Sequence, residues 1–167
     1  MRLEDGEILL RPFAVDDAPA LAVAIDDDPE LDHWTRIPFP YTEEHALEFI
    51  STTEEKAFAI VDRANAALLG GIGARIHDEG VVELGYWVRA SARGRGVATR
   101  AVRLLAGWAF DELAAGRLQL TTDPANHASQ RVAEKAGFQR EGILRGYTAF
   151  KGRRRDAVMY SLLPEDL

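Results

Sequence analysis

Apolar and polar positions alternate along the chain with two different periods, and each change of period marks a new element. Residues 7–13 (EILLRPF) read as a strand. Asp16 is placed to cap a helix on which Leu21, Ala22 and Ile25 recur at helical spacing. The run Asp26-Asp27-Asp28-Pro29 breaks that helix. Residues 31–41 (LDHWTRIPFPY), rich in proline and aromatics, exclude a long regular element. Thr42 caps a second helix whose buried stripe is Ala46, Phe49 and Ile50.

Strands are predicted at 57–61, 67–76 and 81–88, with turns at 62–65 and 77–80. Gly70, Gly71 and Gly73 in the middle strand point to a bulge or a close backbone approach. The clearest strand is 81–88 (VVELGYWV), with Val82, Leu84, Tyr86 and Val88 on one face and Glu83, Gly85 and Trp87 on the other. A long helix follows at 97–113, with Val97, Ala101, Leu104, Leu105 and Trp108 as its apolar stripe; Arg100, Arg103, Gly107 and Asp111 fall elsewhere. Gly116 stops it, and 118–122 is a strand ended by Pro124. A short helix at 126–136 closes at Gly137, and 138–143 and 157–162 are the last two strands. Gly152-Arg153-Arg154-Arg155 reads as the hairpin turn between them. Seven strands in runs around two crossover helices predict an α/β fold with a mixed sheet, and a right-handed parallel crossover at its centre.

Composition narrows the function. A chain of 167 residues, 47% hydrophobic, suits one domain over 1–167 with a core of its own. The absence of cysteine excludes disulfides, thiolate zinc sites and a cysteine nucleophile. His33, His45, His77 and His127 lack metal-ligand spacing and read as structural or exposed, so no metal is expected. A net charge of −7 argues against nucleic acid as a partner, and the acidity reads as an ordinary solvated surface in preference to attraction of a cationic acceptor. Residues 1–10 do not form a signal peptide and no apolar run reaches membrane length, so a cytoplasmic protein without a membrane partner is expected.

The stretch 92–99 (ARGRGVAT) joins the clearest strand to the long helix. Gly94 and Gly96 allow a tight turn and close approach of a ligand to the backbone, in front of a helix N-terminus suited to phosphate. The nucleotide P-loop requires a lysine after its second glycine, where Val97 stands here. The dinucleotide fingerprint requires a third glycine or alanine, where Thr99 stands. Neither pattern fits.

Arg93-Gly94-Arg95-Gly96-Val97-Ala98 resembles the R/Q-x-x-G-x-G/A pyrophosphate loop of the GNAT acetyltransferases. The strand 83–88, the pair Asn126-x-x-Ser129 and the run Ala133-Glu134-Lys135-Ala136-Gly137-Phe138 stand in that family's order. With Trp34 and the segment 38–41, the chain resembles the RimJ/RimL-type branch, which acetylates protein N-termini and small amines, over about residues 8–162. The resemblance implies an acyl-CoA N-acyltransferase fold. Its twisted sheet of about seven strands, flanked by four helices, splays between the fourth (81–88) and fifth (118–122) strands. Acetyl-CoA is the implied co-substrate, with pantetheine against Trp87 and Val88, and pyrophosphate on the amides of Arg93, Gly94, Arg95, Gly96, Val97 and Ala98.

Acetyl transfer to an amine needs a neutral amine, a polarised thioester carbonyl and a protonated leaving sulfur. The family places an acid near Glu83, making it the candidate base, directly or through water; burial in so apolar a strand would suit that role. A solvent-exposed strand-end glutamate is the alternative. Ser129 is the candidate proton donor to sulfur, or only a hydrogen-bond donor to it; an early-helix serine satisfying backbone groups explains it equally well. Many family members carry a tyrosine where Ala133 stands here. Asn126 is a helix cap and an implied ligand of pantetheine or water, and Lys135 reaches a coenzyme phosphate or is simply solvated. Trp34, Tyr41, Glu83 and Tyr86 are candidates for the acceptor site, with core packing the alternative for the aromatics of 34–41. The acceptor is expected to be a protein N-terminal α-amine or a small amine such as an antibiotic, and the protein a monomer or homodimer. A catalytically silent acyl-CoA-binding module is the rival from another class.

Overall fold

The computed structural model describes residues 1–53 and 56–167. Contacts divide the chain into two compact units, Met1–Gly73 with Tyr86–Leu104, and Ala74–Gly85 with Leu105–Leu167.

The first unit holds β1 (Leu3–Glu4), β2 (Ile8–Pro12), α1 (Ala18–Asp26), α2 (Pro29–Trp34), α3 (Glu43–Thr52), β3 (Ala57–Asp62) and most of β4 (Leu68–Ile76). β1, β2, β3 and β4 pair antiparallel in sequence order. Leu9, Leu21, Ile25, Leu31, Ala46 and Val61 form its core, with Phe13, Ile37, Ile50 and Trp87 packed against it. β1 was not expected, because two residues of pairing leave no periodicity to read.

Three expectations in this unit need correction. The residue before α1 is Asp17, not Asp16, and it does not cap the helix with its side chain. Its carboxylate instead receives both Arg11 Nη atoms at 2.7 Å and the Ala14 N–H at 2.8 Å. Burial pushes the Asp17 carboxyl up, but the Arg11 guanidinium and the Ala14 amide hold it below its ordinary value. Pro29 does not merely end a helix. Proline is tolerated in a first helical turn, and Asp28, accepting the Glu30 N–H at 3.2 Å, caps a new six-residue helix there. On α3 the Thr42 cap is present, but Phe49 is 37% exposed, edge-on to Phe13 at a ring distance of 5.3 Å.

The second unit contains β6 (Arg117–Thr122), α5 (His127–Lys135), β7 (Gln139–Phe150), β8 (Arg153–Leu162) and the first residues of β5 (Val81–Val88). β5 and β6 are parallel, with Val81 opposite Arg117, Val82 opposite Leu118 and Glu83 opposite Gln119. That short register, at the start of an eight-residue strand, is the expected splay between the two central strands. β8 pairs antiparallel with both β6 and β7. The last hairpin differs from expectation. β7 runs to Phe150, the chain turns at Lys151 and Gly152, and Arg153, Arg154 and Arg155 lie in β8. Register shifts at 140–142 and 144–148 break the alternation that would have revealed the longer strand.

Among the described residues the sheet order is β1-β2-β3-β4-β5-β6-β8-β7, eight strands where seven were expected, with five α-helices where four were expected. The long helix α4 (Val97–Leu113) buries Val97, Ala101, Val102, Leu105, Ala106 and Ala109, while Leu104 and Trp108 are half-buried. Its inward face is therefore turned from the expected stripe towards small residues.

Candidate active site

The loop between β5 and α4 is shaped by its glycines. Gly94 and Gly96 take φ of +74° and +79°, a region costly for other residues. A Cβ at either would meet nothing within 4 Å. The glycines thus answer a backbone requirement and leave open space where a ligand can approach. α4 begins at Val97, so its first N–H groups have no partner within the helix and carry its positive dipole end. This arrangement fits a pyrophosphate held by backbone amides.

The arginines of this region are turned to carboxylates. Arg93 donates from Nε to the Val88 carbonyl at 3.0 Å, and its guanidinium pairs with Asp28 and, at 2.9 Å, with Glu30. The Asp28 side chain is only 4% exposed. Arg100 meets Asp5 at 3.1 Å and Glu7 at 2.6 Å. Arg95 is held most loosely, 58% exposed and 3.7 Å from Asp62, beside a cavity of about 200 Å³ that Glu7, Asp62, Leu69 and Val97 also line. Arg95 is therefore the guanidinium of this loop with most freedom to turn towards an anion.

β5 presents the alternation read from its sequence: Val82, Leu84 and Val88 are buried, Glu83 and Trp87 half-buried and Gly85 exposed. The glycines of β4 allow both anticipated features. β4 carries an extra residue where the register steps from Ile60–Gly70 to Val61–Leu68. A Cβ at Gly70 would collide with the Trp87 carbonyl, and one at Gly71 would lie 2.6 Å from Trp87 Nε1. The Trp87 indole thus lies over Gly71 and against the first unit's core.

Glu83 is not the desolvated carboxylate that its apolar strand suggested. Its side chain is 25% exposed and pairs with His77 Nε2 at 2.9 Å. His77 reads in the sequence as structural or exposed, and the turn at 77–80 was legible, but the pairing with Glu83 was not. The His77 N–H closes that turn on the Val81 carbonyl at 2.8 Å, which brings residues six apart side by side.

On α5, Asn126 is the expected cap, its Oδ1 accepting the Ser129 N–H at 3.0 Å. Ser129 is half-buried in the first turn, whereas Lys135 is exposed in the last, where its charge complements the helix dipole. Trp34 ends α2, half-buried, with its ring edge-on to His33. Tyr41 is 6% exposed within the core cluster, and burial pushes its hydroxyl pKa up. Tyr86 is half-buried on β5. Among the described residues no group of three or more His, Asp or Glu side chains is placed to hold a metal, and no helix is long and apolar enough to cross a membrane.

Known proteins agree with this geometry. Residues 7–139 match the family model described as acetyltransferase (GNAT) domain. The N-acetyltransferase p20 of Bacillus licheniformis, itself uncharacterized, is 29% identical over 176 residues, covering 99% of this chain and 91% of its own. The crystal structure of a GNAT-family acetyltransferase from Bacillus anthracis superposes with a TM-score of 0.89 at 26% identity, covering 99% of both chains. RimJ of Mycobacterium smegmatis, solved in complex with CoA-disulfide, shares the fold with a TM-score of 0.85 at 23% identity, over 100% of this chain and 88% of its own. The chain belongs to the GNAT family and is an acetyl-CoA-dependent N-acetyltransferase.

Proposed function

We propose that the protein acetylates a primary amine by direct attack, and that the acceptor is a protein N-terminal α-amine, as in the RimJ/RimL-type branch. The observation that carries the coenzyme half of this reading is the backbone cradle at Gly94 and Gly96 before α4. Bound acetyl-CoA supplies the thioester carbonyl that the amine attacks. The amides of residues 93–98 hold its pyrophosphate, and the backbone of Trp87 and Val88 aligns its pantetheine. Glu83 takes the amine's proton, directly or through water. His77, hydrogen-bonded to that carboxylate, orients it and offers the proton a path to solvent. The Ser129 hydroxyl donates a hydrogen bond to the leaving sulfur, and Asn126 holds the turn from which Ser129 projects.

Two considerations support an α-amine. Such a group titrates near about 7.7–8.0 and a lysine near about 10.4, so a partly exposed glutamate has far less work to do with the first. The segment 34–41 also offers the half-buried Trp34 and the exposed Phe39 as flanks for a peptide backbone. A cytoplasmic location belongs to the same reading, since acetyl-CoA and nascent chains occur together there.

Thiol release from acetyl-CoA, measured in parallel with short free-N-terminus peptides, polyamines, amino acids and aminoglycosides, tests the acceptor. Release dependent on peptides is expected; release with only a small amine replaces this acceptor class. Glu83→Gln is expected to lower kcat/KM at pH 7 by about 10²–10⁴-fold while coenzyme A affinity stays the same. Full activity across pH in that variant removes Glu83 from the mechanism.

A further inference from the structure

We propose that Asp28 and Arg93 form a latch that transmits coenzyme occupancy of the 93–98 loop to the segment 29–41, which makes Arg93 a positioning residue for the acceptor. The proposal rests on the acetyl-transfer reading above and extends it to a coupling between the two substrates.

The two residues are 65 positions apart in the chain and meet inside the first unit. Arg93 directly precedes Gly94, in extended backbone with φ −69° and ψ 159°. Its position is therefore set by the same turn that shapes the anion cradle. Three of its contacts lead away from that cradle: Nε to the Val88 carbonyl at 3.0 Å, and the guanidinium to Asp28 and to Glu30 at 2.9 Å. Asp28 has two duties at once, since its Oδ1 also caps α2 through the Glu30 N–H at 3.2 Å.

α2 has six residues, far too few to be stable alone. Its order depends on what holds its ends. Leu31 anchors it in the core, Thr35 Oγ1 bonds the Leu31 carbonyl at 2.6 Å, and the Asp28–Arg93 pair fixes its start. The far end of the segment is closed by the Tyr41 N–H on Asp26 Oδ1 at 2.9 Å. Between these two anchored ends, Asp28 and Tyr41, lie Trp34 and Phe39. An apolar contact would have joined α2 to the strand end at least as stably as a buried ion pair does. What the pair adds is direction: Arg93 cannot shift without moving Asp28, and with it the start of α2. An anion that settles on the loop amides holds Arg93 in place, and thereby the acceptor segment.

Hydrogen exchange on the full chain, with coenzyme A as the probe, tests this. In the wild type, coenzyme A is expected to slow amide exchange about tenfold or more both at 94–100 and at 29–41. Asp28→Asn keeps a good helix cap but removes the charge. Protection at 94–100 should survive in it, while protection at 29–41 falls below about twofold and the acceptor KM rises by a larger factor than kcat falls. Arg93→Lys serves as a second variant should the first not fold. Its point charge cannot span both carboxylates and the Val88 carbonyl, and the same loss at 29–41 is expected. Wild-type protection confined to the loop overturns the latch alone. So does protection at 29–41 that persists in either folded variant. No protection anywhere, with no heat of coenzyme A binding, overturns the coenzyme reading itself.

Discussion

The runs 92–99 and 152–155 are alike in composition, each rich in glycine and arginine, yet they fold into different kinds of site. In the first, Gly94 and Gly96 turn the chain with positive φ and the next residue starts a seventeen-residue helix. In the second, Gly152 also has positive φ, +77°, but the chain continues into β8, with Arg153 opposite Phe150, Arg154 opposite Ala149 and Arg155 opposite Thr148. The guanidiniums do not separate the two runs, because both sets are engaged. Arg154 bonds the Gly146 carbonyl and, at 3.2 Å, that of Tyr147; Arg155 stacks 3.8 Å over the Phe150 ring and lies 3.7 Å from Asp123. What separates them is the backbone. A helix start leaves N–H groups without partners, whereas a strand start commits them to a ladder. Positive charge in a sequence is a poor guide to an anion site unless a helix begins beside it.

The largest expected effect comes from exchanging the glycines. Gly96→Val misdirects the loop amides. With charge-assisted hydrogen bonds contributing about 1.5–3 kcal/mol each, the coenzyme A Kd by calorimetry should rise about 10- to 150-fold. Gly152→Val should leave that Kd unchanged and cost about 1–2 kcal/mol of stability in urea melts, the strain of a left-handed residue. Equal effects on Kd would break the comparison. Arg154→Ala comes next. It unties the bulge around Gly146 and should cost about 1 kcal/mol of stability with no change in Kd. Arg95→Ala removes the loosest guanidinium of the loop and should raise Kd only about three- to fivefold, an effect that fades in high salt.

The smallest effect sharpens the hairpin side. The Arg117 guanidinium, bidentate at 2.7 and 2.8 Å, and the Ser161 hydroxyl lower the Glu141 carboxyl from 4.5 to about 2. A depressed folded-state pKa contributes stability that is fully present above about 4.5 and is lost as pH falls towards about 2. Because the Glu141 side chain is 43% exposed, solvent screening limits the contribution to about 0.5–1 kcal/mol. Glu141→Gln should therefore be less stable than the wild type at pH 7, with the gap closing near pH 2. A gap that stays constant with pH would mean that the pair acts by packing rather than by charge.

Much of this was legible in the sequence. β5 showed its alternation, α4 its span from Val97 to Leu113 and α5 its Asn126 cap, because each is encoded by neighbours two to four positions apart. The loop was legible because two glycines before a helix start are a local backbone instruction. What escaped was short, irregular or distant. β1 and α2 are two and six residues long, and the register shifts in β7 hide its true length. Phe49 sits at a helical core spacing but on an edge that tertiary packing left partly open. His77 read as structural or exposed because it lacks metal spacing, whereas its pairing with Glu83 depends on the hairpin that returns that residue to its side.

The sequence alone determined the order of the main elements and the glycine turn before α4, because backbone conformation is set by adjacent residues; its motifs carried the resemblance to the family. Only the tertiary structure decided which charges meet. The Arg93 guanidinium pairs with Asp28 and Glu30, more than sixty residues away, and nothing along the sequence announces that pairing. Glu83 reads either as a buried acid or as an exposed strand-end glutamate, and it lies between the two, partly exposed and paired with His77. A charge takes its partner from whichever segment the folded chain brings within a few ångströms, and no period along the sequence records that distance.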